Sequence, residues 1–178
     1  MSCHRGHTVK QEIERLNNLT HDAAEAELLQ CCGSTAWACG MSARRPFGDM
    51  DDVMRAAAEA WSGLEEPDWL EAFSRHPQIG ESKSATAQTM EEQAWSTHEQ
   101  SGLDETDAAA RRELAELNRE YEQKFGYIFI VCATGKTAAE ILALLMARMG
   151  NDPETELKVA AEEQRRITRL RLEKLLSA

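Results

Sequence analysis

The sequence predicts an all-α protein: a single compact domain of about seven or eight helices, with one extended connector at 127–133. Three observations carry this. Apolar residues recur at helical spacing through most of the chain, most clearly where Leu114, Leu117, Tyr121 and Phe125 fall at i, i+3, i+7 and i+11. The 10 glycines and 4 prolines sit where turns belong. Only YIFIVCA (127–133) looks like a strand, and a single strand has nothing to pair with, so it reads as a buried extended connector.

Residues 1–10, MSCHRGHTVK, fit no pattern and are expected to be a disordered extension, with the helical domain over 11–178. The first helical pattern begins at about Val9 and runs to Asn18, with Ile13 and Leu16 on one side. The second covers Asp22 to Cys31 and stops before Gly33. The stretch ACGMSARRPFG reads as irregular, with Arg45 held extended by Pro46. Asp49 and Met50 introduce a helix through Trp61, closed by Gly63, and Pro67-Asp68 start a short one carrying Trp69, Leu70 and Phe73. Ser84 to Gln100 has helical composition, and Thr106 to Lys124 is the clearest helix, with Gly126 placed as a C′ glycine. Thr137 to Met149 is helical, and Asp152-Pro153 supplies an N-cap with proline at N1 for a helix to the end.

At 178 residues the chain is long enough for one domain with a real core. No apolar run approaches the roughly 20 residues that span a bilayer, and the N-terminus lacks the apolar stretch of a secretory signal. A cytoplasmic protein with no membrane partner is expected. A formal charge of −11 argues against nucleic acid, which demands a basic patch. The five cysteines are an odd number at no recognisable spacing and read as reduced thiols. Cys3, His4 and His7 do not amount to a zinc site, which needs about four converging ligands.

Four constellations could carry chemistry. The first is a decoy. ATGKT after an apolar run mimics a phosphate-binding loop, but the glycine that should open it is replaced by Ile130, so Gly135-Lys136-Thr137 reads as a turn with a cap. In the second, EEQAWSTHEQSGL, residues Ser96, Glu99 and Gln100 share a helix face and can hold a flat polar ring. Glu92-Gln93 lies on nearly the same face, and spacing alone does not choose between them. In the third, the last helix, Ala160, Ile167, Leu170 and Leu175 span an arc of roughly 140°, and Arg171 falls inside it. A guanidinium there must meet an anion, either a protein carboxylate or a bound substrate. The fourth is His76. Pro77 restricts its conformation, which is a way to hold an imidazole still on a loop, and its ordinary pKa suits proton transfer at neutral pH.

Together HPQIGE, STHEQSGL, LNREYEQKFGYIFIVCATGKTAAEIL and ITRLRLEKLL resemble the decarboxylases of 2-oxo-4-hydroxy-4-carboxy-5-ureidoimidazoline (OHCU), over residues 36–178, with ARRPF (43–47) as an earlier marker. The resemblance implies an all-α enzyme without cofactor or metal, usually a homodimer, that makes (S)-allantoin at the end of urate oxidation. It implies His76 and Glu99 as catalytic residues. Pro77, Ser96, Gln100, Arg171 and main-chain groups of Phe129, Ile130 and Val131 are implied as substrate-binding, and Glu92-Gln93 is demoted. One departure is the interval between His76-Pro77 and Glu99-Gln100, longer than in the animal members, which points to an insertion or altered lid at 81–95.

The implied roles rest on the chemistry of the reaction. Loss of CO₂ leaves negative charge on a ring carbon that must be stabilised and then protonated on one face. Arg171 would hold the anionic substrate, Gln100 the ring, and His76 would deliver the proton. Glu99 would either orient the imidazole or grip the ureido group. Two other readings are a related ureide hydrolase and a non-enzymatic helical interaction module.

Overall fold

The computed structural model describes residues 3–77 and 108–177. Among the described residues there are eight helices and no strand: α1 (Cys3–Asn18), α2 (His21–Cys32), α3 (Thr35–Ser42), α4 (Met50–Ser62), α5 (Glu66–Ser74), α6 (Ala108–Phe125), α7 (Ala138–Arg148) and α8 (Pro153–Leu175). The all-α class is the one the periodicity predicts. No described helix is long and apolar enough to cross a membrane. The helix expected over 84–100 lies outside the described residues. Those up to Ala72 and from Arg165 onward form one compact unit, and those between Phe73 and Gln164 a second.

In the first unit, local chemistry sets each boundary. Thr20 Oγ1 accepts from Ala23 N (3.3 Å) at the start of α2, and Asp49 Oδ1 accepts from Asp52 N (2.9 Å) at the start of α4. Gly33 ends α2 at φ 85°, and its N–H returns to the Leu29 carbonyl. That left-handed turn needs glycine. Leu16, Leu28, Trp37, Met41 and Val53 are all fully buried.

Two expectations are corrected here. α1 begins at Cys3, ahead of the expected start at Val9. The stretch read as irregular from Ala38 begins inside a helix: Ser34 Oγ accepts from Trp37 N (3.2 Å), and α3 runs to Ser42, burying Trp37, Ala38 and Met41. The irregular path is confined to residues 43–49. There Arg45, joined to Pro46 by a cis peptide bond, donates from Nη1 to the carbonyls of Leu16 (2.7 Å) and Leu19 (2.8 Å), closing the end of α1. The Asn17 amide meets both main-chain groups of Phe47, each at 2.8 Å. The ARRPF segment thus ties a loop to a helix end.

The second unit is built around Leu114, Tyr121, Phe129, Val131, Ala133, Ile141 and Leu145. Gly126 ends α6 at φ 83°, where its N–H bonds the Glu122 carbonyl at 2.8 Å. The chain then runs as an extended segment into a turn at Gly135 (φ 78°). Thr137 Oγ1 accepts from Glu140 N (3.3 Å), while Glu140 Oε2 accepts from Thr137 N (2.7 Å), a reciprocal capping box. Gly135-Lys136-Thr137 is therefore a turn and a cap, as expected. Asp152 caps α8 through Thr155 N at 3.0 Å.

Candidate active site

His76 follows α5 directly. Ala72 and Phe73 anchor the end of that helix in full burial, and His76 N donates to the Phe73 carbonyl at 3.1 Å, so the turn is fixed before Pro77 stiffens it. The Phe73 ring packs at 5.3 Å against that of Tyr127, the first residue of the extended connector. The structure thereby brings the histidine-bearing turn and the connector together within one unit. The imidazole is half-buried and its Nε2 is sealed from solvent.

The connector is buried throughout from Phe129 to Ala133. Three anchors hold it. The Ile130 carbonyl accepts from Arg148 Nη1 (2.8 Å), Cys132 N donates to Glu163 Oε2 (2.7 Å), and the Cys132 carbonyl accepts from Lys136 Nζ (2.6 Å). Among the described residues, none accepts from the main-chain N–H groups of Phe129, Ile130 and Val131.

Behind the connector lies a network that sequence reasoning missed. Glu156, fully buried, accepts from Arg148 Nε (2.7 Å) and from Asn151 Nδ2 (2.7 Å), and Tyr121 donates its hydroxyl to the same carboxylate. Arg148 also stacks 4.5 Å from the Phe129 ring. Burial above all, and then the bond to Glu156, push the Tyr121 phenol well above its ordinary pKa, so it remains a donor. The missed signal was periodic: Ala138, Ile141, Leu145 and Arg148 share the buried face of α7.

Arg171 belongs to the first unit. The structure buries it to 5% exposure on α8, beside Thr168 and Cys32. Burial pushes the Cys32 thiol up to about 12, with the Thr168 hydrogen bond and the Arg171 charge pulling it down and Glu71 pushing it up. Lys174, on the same arc by sequence, is exposed. Ser96, Glu99 and Gln100 lie outside the described residues, as does the Glu92-Gln93 pair.

A family model described as OHCU decarboxylase matches residues 17–173. The chain is 40% identical over 156 residues to the uric acid degradation bifunctional protein TTL of Arabidopsis thaliana, covering 88% of this chain and 48% of that one. It therefore spans about half the length of that relative. It is 28% identical to the 2-oxo-4-hydroxy-4-carboxy-5-ureidoimidazoline decarboxylase of Amia calva, over 93% of this chain and 94% of the other. Among solved structures it resembles an OHCU decarboxylase crystallised in the presence of (S)-allantoin, with a TM-score of 0.70, 42% identity, and coverage of 85% of this chain and 98% of that one.

Proposed function

The chain belongs to the OHCU decarboxylase family, and on that premise we propose that it converts OHCU to (S)-allantoin and CO₂, the last step of urate oxidation. The observation that carries this reading is the extent of the family match, which takes in every residue assigned to the site, from His76 to Arg171. The packing of Phe73 on Tyr127, which seats the His76 turn beside the connector, supports it.

In the proposed reaction the bond between the ring carbon and the carboxylate breaks and CO₂ departs. The electron pair stays on the ring carbon, spread over the adjacent carbonyl and ring nitrogens. Arg171 neutralises the substrate's negative charge. Gln100, Ser96 and the main chain of Phe129 to Val131 fix the ring, with Pro77 against it. His76 gives its proton to one face of the carbanion, and Glu99 orients that imidazole or holds the ureido group. The enzyme is proposed to work as a cytoplasmic homodimer without cofactor.

Circular dichroism on freshly generated OHCU tests the reading. Spontaneous decay gives racemic allantoin and no lasting signal, so rapid growth of an (S)-allantoin signal, with CO₂ released, is the expected result. Decay matching the protein-free control from a folded sample would overturn it. Replacing His76 by Asn should slow turnover by about 10²–10⁴-fold, the range for general acid–base catalysis. Full activity in that variant would remove His76 from the mechanism.

A further inference from the structure

We propose that His21, Glu25 and Cys39, none of them assigned to the decarboxylation, form a binding site for a divalent d-block cation, with zinc the best match. One donor atom from each lies within 4.8 Å of the others. His21 opens α2 and Glu25 stands one turn later, so imidazole and carboxylate project from one helix face, and Cys39 reaches them from α3. His21 Nε2 is 3.6 Å from Glu25 Oε1. The edge of a zinc tetrahedron with bonds of about 2.0–2.2 Å is roughly 3.4 Å, so little movement is needed.

The far side of the imidazole supplies the second observation. Ser42 is buried, and its Oγ lies 2.6 Å from His21 Nδ1 and 3.5 Å from the His21 carbonyl. In the metal-binding tautomer the serine oxygen accepts from Nδ1–H, and the serine proton is left to turn to the carbonyl. That tautomer leaves the lone pair on Nε2, the nitrogen beside Glu25. Metal-binding histidines are oriented in this way, with the second ring nitrogen donating to a fixed acceptor.

The donor set names the ion class. Thiolate, imidazole and carboxylate together suit zinc, whereas calcium and magnesium prefer all-oxygen shells. Cys39 already shares a hydrogen bond with Glu25. On binding, the S–H bond breaks, sulfur bonds the metal and the proton leaves to solvent. His21 and Cys39 are exposed, which leaves a fourth position open to water. The bound ion would cross-link α2 to α3.

Cobalt(II) added to the full chain provides the test. A thiolate-to-cobalt charge-transfer band, displaced by zinc, is expected. It should vanish in Cys39→Ser and survive in a variant with Cys3→Ser, His4→Ala and His7→Ala, which removes the other cysteine–histidine run. Ser42→Ala should weaken binding about 10–100-fold, the usual cost of losing the group that orients a ligand. Absence of the band in the unsubstituted chain, its persistence in Cys39→Ser, its loss in the N-terminal variant, or unchanged affinity in Ser42→Ala would each overturn the site, leaving an imidazole–carboxylate pair beside a thiol.

Discussion

Arg148 and Arg171 are both buried arginines on the inward face of a helix, at 8% and 5% exposure, and they stand in different units among different neighbours. Arg148 is clamped: Nε meets Glu156 at 2.7 Å, Nη1 the Ile130 carbonyl at 2.8 Å, and Nη2 the Tyr121 hydroxyl at 3.3 Å. Its planar fork is spent on protein acceptors, and its role is to brace the connector. Arg171 lies in the other unit beside a buried hydroxyl and a thiol, with the Glu71 charge acting on the same thiol. A guanidinium on an apolar arc thus marks a buried anion or acceptor without saying whether the protein or a ligand supplies it. The acceptors around it decide.

The comparison can be broken by substitution. Arg148→Leu should produce the largest effect, destabilising the fold by about 3–5 kcal/mol because it strands the fully buried Glu156, as urea denaturation would measure. Adding Glu156→Leu to that variant should recover part of the loss. No recovery would show that the network's hydrogen bonds to Ile130 and Tyr121 matter more than the ion pair.

Arg171→Lys should behave differently, lowering kcat/KM by about 10–100-fold, the worth of a hydrogen bond to a charged group, while the urea midpoint moves little. Unchanged kcat/KM per folded molecule with a large midpoint shift would make Arg171 a brace like Arg148.

The contrast is also sharpened through pH. Burial raises the folded-state pKa of Cys32 from its ordinary value of 9.0 to about 12. The folded chain therefore holds the thiol proton after the unfolded chain has released it. The contribution of Cys32 is fully present below pH 9.0 and is lost as pH rises towards about 12, at roughly 1.4 kcal/mol per pH unit inside that window. Cys32→Ala should flatten that alkaline slope relative to the unsubstituted chain. Coincident slopes would show that the thiol does not titrate with unfolding.

Much of the fold was legible because capping chemistry is local. Asp49, Thr137 and Asp152 announce their helices within three residues, and Gly126 ends α6 in a left-handed turn that favours glycine. α3 was less visible, because its buried set of Trp37, Ala38, Met41 and Ser42 is short and is interrupted by Gly40. The His76-Pro77 pair could be picked out as chemistry and the connector as a buried extended segment, but their proximity depends on the Phe73–Tyr127 contact between segments far apart in the chain. Arg148 escaped although it obeys the periodicity that singled out Arg171, since no motif drew attention to it. The grouping of His21 with Cys39 had no sequence signal at all, because its spacing is created by α2 packing on α3.

The three anchors on the connector carry an implication for redesign. With Arg148 on Ile130 and both Glu163 and Lys136 on Cys132, the shape of this backbone is dictated from outside the segment. Where a ligand reads peptide groups, swapping the side chains of Phe129 and Val131, which belong to the core cluster, edits the packing on that side and leaves the peptide groups in place. Selectivity on such a surface would be retuned by moving the anchors Arg148, Glu163 and Lys136.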